Sequence, residues 1–313
     1  MASPSPSQPR TIPAQRFADW WRAVRPKSFT ATTTPIMIGV GCAALDGRFA
    51  LGWALLTLLA AVLLQAGTNL LNDYFDHRNG VDSSASLSPS GAIQQGLLQP
   101  RAVLVGGLLC FGLAALLGIV LALHGGPVIW LLGILGVLIG VLYTAGPAPL
   151  AYIGLGEIAV FLAMGVGMVL GAYVVQTQTF RWTAVLAGAP IGLLVAAILH
   201  ANNLRDIETD RAQGKQTLAA RFGRQFARRE YAFLLGGGYV LVLGLLAIDL
   251  RLGLSALPTL LTMPRAIALV REAFATTDTS RLNAVLRGTA ALHGRFGSLW
   301  AVGFLAVVAA SYL

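Results

Sequence analysis

Charged residues are scarce in this chain, and their scarcity decides its class. Only 11% of the 313 residues are Asp, Glu, Lys or Arg, whereas 56% are hydrophobic. The mean hydropathy is accordingly high, at +0.72. An ordinary soluble domain carries about 25% charged residues, so this composition excludes a soluble globular protein. It excludes an intrinsically disordered one as well, because disordered chains are poor in apolar residues.

Cysteine is equally rare. Cys42 and Cys110 are the only two, and both lie in apolar stretches. Neither belongs to a CxxC pair or to a metal-binding spacing, which excludes a disulfide framework and a cysteine-ligated metal site. We interpret both thiols as small buried hydrophobic side chains.

Apolar stretches of about the length that crosses a bilayer, roughly 20 residues, recur along the chain. Bounded by charge, glycine or proline, they cover 28–46, 51–73, 102–123, 127–145, 153–176, 182–205, 231–249, 252–272 and 296–313. Pro258 and Pro264 interrupt the eighth, which could be kinked or interfacial. The sequence therefore predicts an all-α integral membrane protein with about nine transmembrane helices in a single bundle. Residues 25–313 are the predicted transmembrane domain, and residues 1–24 are a predicted disordered tail.

Basic residues exceed acidic ones by 22 to 13, giving a formal net charge of +9. When the loops are assigned to alternate sides of the membrane, only Arg48, Arg181 and Arg251 fall on one side. All other Lys and Arg fall on the opposite side, which the positive-inside rule places in the cytoplasm. We therefore expect a cell membrane protein with a cytoplasmic N-terminus, and the excess charge needs no nucleic-acid partner.

Acidic residues are few, and six of the 13 lie in two short windows. In the first window Asn69, Asn72, Asp73 and Asp76 are spaced i, i+3, i+4 and i+7, which places them on one helical face. A glycine follows and permits a turn, after which Asp82 could fold back toward the same face. Carboxylates at the end of a membrane span indicate function.

The second window repeats this pattern at the end of the sixth predicted span. Asn202, Asp206 and Asp210 are spaced i, i+4 and i+8, with Arg205 beside them and Lys215 a few residues beyond. Four crossings separate the two windows, so both open on the same side, which we expect to be cytoplasmic. The two carboxylate faces can therefore meet across the bundle.

Carboxylates brought together repel one another unless a cation lies between them. Mg²⁺ prefers oxygen ligands and is usually bound by one or two carboxylates together with substrate phosphates. The windows therefore predict magnesium and a phosphate or diphosphate, with Arg205 and Lys215 binding its oxygens. Lys27 and Arg78 are weaker candidates for the same role, and Glu208 points to another side of the helix. The alternative for one DxxxD window is a solvated salt-bridged surface, which two such windows disfavour.

The two windows resemble the aspartate-rich motifs of the UbiA superfamily of membrane prenyltransferases, NDxxDxxxD and DxxxD. Asn72, Asp73 and Asp76 match the first motif, whose last aspartate comes two positions late, at Asp82. Asp206 and Asp210, named above, match the second.

The chain is most similar to the MenA branch of that superfamily, the 1,4-dihydroxy-2-naphthoate polyprenyltransferases. The matching stretches are Arg25-Pro26-Lys27, the segment from Asn202 to Leu218, and the segment from Tyr143 to Glu157. Many enzymes of the branch carry GPxR in the loop after the first motif, where this chain has Ser88-Pro89-Ser90-Gly91. The contribution of that arginine is therefore missing or is supplied from elsewhere.

The resemblance implies transfer of a polyprenyl group from polyprenyl diphosphate to the ring of 1,4-dihydroxy-2-naphthoate, with decarboxylation, in menaquinone biosynthesis. It implies two Mg²⁺ ions, bound by Asp73, Asp76, Asp82, Asp206 and Asp210. Glu157 is a candidate general base or acceptor contact. The candidate substrate-binding residues are Asn69, Asn72, Asn202, Arg205, Lys215, Lys27, Arg78 and Tyr143.

Other functions remain open on the sequence alone. A different aromatic acceptor such as 4-hydroxybenzoate is one alternative, and a membrane transporter is a more remote one. The CDP-alcohol phosphatidyltransferases are disfavoured because their DGxxAR core is absent. His77 and His200 flank the motifs, and we interpret both as structural or supporting side chains.

Overall fold

The structure, a computed structural model, describes residues 13–78, 90–144 and 149–312. Within those ranges every regular element is a helix, and no strand occurs. A helix satisfies its own backbone hydrogen bonds, which is what a segment surrounded by hydrocarbon requires. The predicted all-α class is confirmed.

The α-helices share a mostly apolar composition and follow one another with short connections. In chain order they are α1 (Pro13–Ala23), α2 (Thr30–Leu45), α3 (Leu51–Arg78), α4 (Pro100–Gly125), α5 (Pro127–Thr144), α6 (Gly156–Val160), α7 (Met168–Thr177), α8 (Trp182–Arg205), α9 (Ile207–Ala212), α10 (Leu218–Phe222), α11 (Arg224–Ile248), α12 (Leu250–Ala256), α13 (Met263–Ala275) and α14 (Thr279–Ala310). Two further turns matter below: a 3₁₀ turn at Pro26–Phe29 and a π-helical turn at Phe161–Gly167.

Seven helical segments of the described chain are long and apolar enough to cross a membrane. They are α3, α4, α6 continued through α7, α8, α11, α12 continued through α13, and α14. The shorter α2 and α5 are also apolar. Together these nine segments fall on the nine stretches that the sequence predicts.

The tail predicted to be disordered over residues 1–24 is wrong for its second half, because residues 13–23 form α1. The Pro- and Ser-rich composition that suggested disorder belongs to residues 1–12, which lie outside the described residues. In α1 the apolar residues recur on one face of the helix, and Trp20 lies on that face. Its ring lies against α4, 2.8 Å from where a Cβ on Gly106 would be.

The last predicted span, 296–313, begins much too late. The helix α14 starts at Thr279, and the Asp278 side chain caps it by accepting a hydrogen bond from the backbone N–H of Arg281 at 2.8 Å. Arginines in its first half hid this part from a search for apolar runs. The interruption predicted in the eighth span is present as a 3₁₀ turn, Leu257–Thr262, with Pro258 near its start.

Contacts divide the described residues into two units. The first comprises the described parts of Met1–Phe29 and Val62–Ala115. Its small core contains Ala23, Leu70 and Val103. The core therefore holds α1, the second half of α3 and the beginning of α4 together.

The second unit comprises the described parts of Thr30–Ala61 and Leu116–Leu313, and α8 lies at its centre. About two thirds of the apolar part of α8 is buried, the largest share among the spanning helices. It packs against α2, α11, α14 and the π-helical turn. Ile191 and Leu194 on α8 are fully buried. This packing fixes the position of the polar side chains at the carboxyl end of α8.

The close approach of α14 to α12 depends on Gly303. A Cβ at this position would lie 1.8 Å from the backbone oxygen of Ser255. We expect Gly303→Ala to destabilise the protein by about 1–3 kcal/mol through overpacking. Gly236→Ala is the matched control, because Gly236 is also helical and has nothing within 4 Å of its Cβ position. Thermal unfolding in detergent checks both, and equal unfolding temperatures would contradict the packing argument.

Candidate active site

The first aspartate motif ends α3 with a buried carboxylate. Asp73 is only 1% exposed. Its Oδ1 accepts a hydrogen bond from Arg25 and its Oδ2 accepts one from the hydroxyl of Ser90. Asn69, one turn earlier and also buried, donates to the backbone oxygen of Val24 at 2.8 Å and to Ser28 Oγ at 3.0 Å. Both side chains therefore tie α3 to the segment that follows α1.

Arg25 reaches Asp73 through an unusual backbone conformation. Its φ is +55°, in the left-handed region that non-glycine residues seldom adopt. This residue lies between the end of α1 at Ala23 and the 3₁₀ turn Pro26–Phe29. Left-handed conformations at non-glycine residues concentrate at functional sites, where the surrounding contacts offset their cost. The contact with the Asp73 carboxylate is one such contact.

The segment that begins at Ser90 is bound by a second arginine. Arg22 Nε donates to the backbone oxygen of Ser90 at 2.7 Å, and Arg22 Nη1 donates to Gln95 Oε1 at 2.9 Å. Ser90 Oγ also accepts the backbone N–H of Ala92 at 3.2 Å. Two arginines from the N-terminal segment, Arg22 and Arg25, thus contact Ser90 and Asp73 beside a loop that lacks the arginine of GPxR.

The other residues predicted for this motif either lie on the exposed side of α3 or fall outside the described residues. Asn72 and Arg78 lie on the exposed side of α3, away from the buried face that carries Asp73. The side chains of Lys27 and Asp76, and the whole of Asp82, lie outside the described residues.

The second motif surrounds Arg205 at the end of α8. Its guanidinium binds both carboxylate oxygens of Asp206, with Nε to Oδ1 at 2.7 Å and Nη2 to Oδ2 at 2.6 Å. Nη2 also donates to Asn202 Oδ1 at 2.9 Å, and Nη1 donates to Asn283 Oδ1 on α14 at 3.1 Å. Paired bonds of this kind fix orientation as well as charge. The structure therefore brings Asn202, Arg205 and Asp206 together, although the predicted continuous helical stripe through Asp210 is interrupted at Asp206, between α8 and α9.

Lys215 returns to Asp210 after a turn at Gly214, whose φ of +72° suits glycine. Its Nζ lies 3.4 Å from Asp210 Oδ1 and 5.3 Å from the centre of the Tyr152 ring. Asp210 is 6% exposed, and this burial raises the pKa of its carboxyl group. Lys215 opposes the increase, and the nearby Asp206 adds to it. A further cation beside Asp210 and Lys215 would stabilise the charged form of the Asp210 carboxylate, which its burial and the nearby Asp206 both disfavour.

Glu208 behaves as the sequence predicts and stays outside this group. Its side chain is exposed and pairs with Arg224 at 3.3 Å. It is a surface salt bridge of the ordinary kind.

Glu157 is buried in a cluster with three other polar side chains. Its Oε1 accepts from Asn203 Nδ2 at 2.9 Å and lies 3.0 Å from Nδ1 of His200. Glu230 Oε2 lies 3.6 Å from the same nitrogen. The hydroxyl of Tyr143 is also near, 3.6 Å from where a Cβ on Gly156 would be.

Hydrogen bonding fixes the protons of this cluster. His200 Nε2 lies 2.8 Å from the backbone oxygen of Ala227. A carbonyl oxygen only accepts, so Nε2 must carry a hydrogen. The contact between Nδ1 and Glu157 then requires a second proton, either on the imidazole or on a carboxyl group. The cluster therefore holds one proton that its members share.

These groups are also close enough to be considered as metal ligands. One ligand atom each from Glu157, His200 and Glu230 lies within 4.8 Å of the other two. Mg²⁺ prefers oxygen ligands, and both nitrogens of His200 already take part in hydrogen bonds. We therefore interpret the group as a proton-sharing cluster.

The sequence analysis does not predict several of these residues as part of the site. They are Arg22, Arg25, Ser90, Asn203, Glu230 and Asn283. Arg25 belongs to the RPK triplet, and Asn203 follows His200 at i+3, so a search for polar pairs on one helical face would have found it. Glu230 and Asn283 carry no local signal, because each reaches the site from another helix.

The described helices define a polytopic membrane protein with carboxylate, amide and basic groups at the ends of its spans. The chain belongs to the UbiA prenyltransferase family, whose family model matches residues 33–293.

Similar proteins extend over most of the chain. A 1,4-dihydroxy-2-naphthoate octaprenyltransferase of Bacillus subtilis is 32% identical over 289 residues, 91% of both chains. The enzyme of that name from Escherichia coli is 37% identical and covers 72% of this chain and 75% of its own. The human UbiA prenyltransferase domain-containing protein 1 is 30% identical, covering 95% and 86% respectively.

A solved structure shares the fold. The UbiA homolog from Archaeoglobus fulgidus bound to GPP and Mg²⁺ superposes with a TM-score of 0.62 at 17% identity. The match covers 93% of this chain and 99% of that one.

Removal of His200 tests the shared-proton cluster. We expect His200→Leu to destabilise the protein by about 3–5 kcal/mol, because it leaves the buried Glu157 and the partly buried Glu230 without their common partner. Adding Glu230→Gln should recover part of this loss. His77→Leu is the control, since His77 is exposed at the end of α3. Thermal unfolding gives the comparison, and equal stability of the two single variants would refute the cluster.

Proposed function

We propose that this enzyme transfers a polyprenyl group from polyprenyl diphosphate to the aromatic ring of 1,4-dihydroxy-2-naphthoate, with loss of the carboxyl group, in menaquinone biosynthesis. The observation that carries the proposal is the 32% identity with the Bacillus subtilis octaprenyltransferase over 91% of both chains. Relatives in four other bacteria bear the same name. The similarity covers both aspartate motifs as well as the segment from Tyr143 to Glu157.

The donor atoms of the two motifs suit magnesium. The proposed ligands are Asp73, Asp76, Asp82, Asp206 and Asp210. All of them offer carboxylate oxygens, and a carboxylate that binds one arginine keeps further lone pairs for a metal ion. Bound Mg²⁺ would act as a Lewis acid on the diphosphate leaving group.

The basic side chains make the case for a divalent cation stronger. Arg25 is paired with Asp73, Arg205 with Asp206, and Lys215 with Asp210. Little positive charge near these carboxylates is left uncompensated, so a diphosphate with its own negative charge would be repelled without added cations. We propose that Arg205 and Lys215 bind diphosphate oxygens when the substrate is present.

The asparagines of the two motifs are proposed to have different roles in substrate binding. Asn202 orients Arg205 and is proposed to act on the substrate through it. Asn69 has its amide nitrogen committed to Val24 and Ser28, so we assign it to holding the N-terminal segment near Asp73. Asn72 and Arg78, which are exposed, and Lys27 remain proposed donor contacts.

Glu157 is proposed to take the proton of an acceptor hydroxyl, which would raise the electron density of the ring that attacks the prenyl carbon. Two hydrogen-bond partners, His200 and Asn203, both bind its Oε1. They fix the orientation of the carboxylate and leave Oε2 available to accept the proton. Tyr143, close to Glu157, is proposed as an acceptor contact.

Activity in membranes tests the proposal. Membranes containing the chain receive Mg²⁺, a polyprenyl diphosphate and either 1,4-dihydroxy-2-naphthoate or 4-hydroxybenzoate. We expect a prenylated naphthoquinol product only with the first acceptor. Asp73→Asn and Asp206→Asn should each lower its formation about 100-fold or more, because each removes charge that the transition state requires. Chelation with EDTA should abolish it.

Glu208→Gln is the matched control, since Glu208 lies in the second motif yet forms only a surface pair. It should keep near-normal activity. Prenylation of 4-hydroxybenzoate instead would keep the reaction and overturn the acceptor. An Asp206→Asn variant as active as the Glu208→Gln control would overturn the site.

We also propose that the N-terminus and both aspartate motifs face the cytoplasm, on the basis of the basic residues that flank them. Alkaline phosphatase, which is active only after export, can be fused after selected residues. Fusions after Thr179 and after Tyr312 should be active, and a fusion after Gly214 should be inactive. The reverse pattern would show the opposite orientation.

A further inference from the structure

A groove with two arginines opens on the second unit, and no residue of the second aspartate motif or of the Glu157 cluster lines it. Its volume is about 670 Å³, within the range of about 300–1,000 Å³ typical of small-molecule sites. The walls are α2, α14, the 3₁₀ turn Leu257–Thr262 and the beginning of α13. Arg265 and Arg295 line it together with hydroxyls from Thr30 and Thr33.

These arginines lack an anionic partner of the kind that Arg205 and Arg281 have in the same unit. Arg205 pairs with Asp206, and Arg281 pairs with Glu272 at 2.7 Å. Among the described residues, no carboxylate lies within 4.0 Å of Arg265 or Arg295. Both side chains are exposed to the groove. The groove therefore carries two uncompensated positive charges.

The position of Arg295 along α14 indicates its surroundings. Arg295 lies 15 residues before Ala310, the end of α14, which at 1.5 Å per residue is about 22 Å along the axis. The hydrocarbon core is about 30 Å thick. A span that ends at Ala310 would therefore bring Arg295 toward the opposite membrane surface, where its long side chain can reach the headgroup level.

Arg265 lies at a comparable depth, 15 residues after Leu250. Leu250 begins α12 at the same end of the unit, because Arg251 and Tyr312 line one shallow cavity there. Its Nη2 lies 3.2 Å from where a Cβ on Gly288 would be. The glycine on α14 therefore gives the guanidinium room against the helix.

Most of the remaining surface of the groove is apolar. Met37 on α2 and Leu261 in the 3₁₀ turn belong to its walls. The groove thus combines cations and hydroxyls near the headgroup level with an apolar surface below them. This arrangement matches a lipid with a charged phosphate and hydrocarbon chains.

We propose that this groove is a binding site for an anionic phospholipid. The phosphate binds Arg265 and Arg295 with help from the threonine hydroxyls, and an acyl chain lies along Met37 and Leu261. Basic pockets between transmembrane helices bind anionic headgroups by this chemistry. The site makes the stability of the enzyme depend on the charge of the surrounding lipid.

Lipid retention measured by native mass spectrometry tests the proposal. The full-length protein in nanodiscs of phosphatidylcholine is titrated with phosphatidylglycerol. We expect Arg265→Gln combined with Arg295→Gln to weaken phosphatidylglycerol binding about tenfold to thirtyfold, as the loss of two lipid-facing charges predicts. The thermal stabilisation by phosphatidylglycerol should disappear with it. Arg271→Gln combined with Arg287→Gln is the control, because these arginines lie on the same helices and outside the groove.

A second variant makes the test independent of charge. Ser298→Phe fills the groove from α14 and should displace the lipid although both arginines remain. Equal phosphatidylglycerol binding by the wild-type protein and both groove variants would overturn the proposal. So would displacement of phosphatidylglycerol from the groove by polyprenyl diphosphate at equal concentration, which would assign the groove to the donor.

Discussion

A carboxylate at the end of a membrane helix is stable only where another group shares its charge, and the polar part of this protein is built around that requirement. Removing a charge from water costs several kcal/mol, which a close partner of opposite sign must offset. Four carboxylates of the described residues have such a partner: Asp73 has Arg25, Asp206 has Arg205, Asp210 has Lys215, and Glu157 has His200. The helices are thus positioned by ion pairs at their ends and by apolar packing along their length.

The local part of this arrangement could be predicted from sequence. Spacings of three and four residues place side chains close together on a helix, so the proximity of Asp206 and Asp210 could be predicted from their positions. Arg205 was predicted because it directly precedes Asp206 in the sequence. The approximate positions of the apolar helices followed from apolar runs, because a bilayer requires a similar length of every crossing helix.

What could not be predicted depends on contacts between distant segments. Asn283 reaches Arg205 across 78 positions of sequence, and Glu230 reaches His200 from a different helix. Neither residue has a neighbour that marks it. The start of α14 was missed for another reason: arginines interrupt its hydropathy, while the cap at Asp278 marks the true beginning. The helix α1 was missed because its neighbouring Pro- and Ser-rich residues dominate the composition of the tail.

The N-terminal arginines bear on how motifs in such chains are read. A motif search looks for neighbouring letters, and by that criterion the loop containing Ser90 is missing an arginine. In the folded chain Arg25 contacts Asp73 from 48 positions away, and Arg22 contacts Ser90 from 68. The cation and its carboxylate thus form a spatial unit in this chain that no contiguous string encodes. Removal of the first 25 residues would therefore take both arginines away from this unit, although the loop sequence itself would be unchanged.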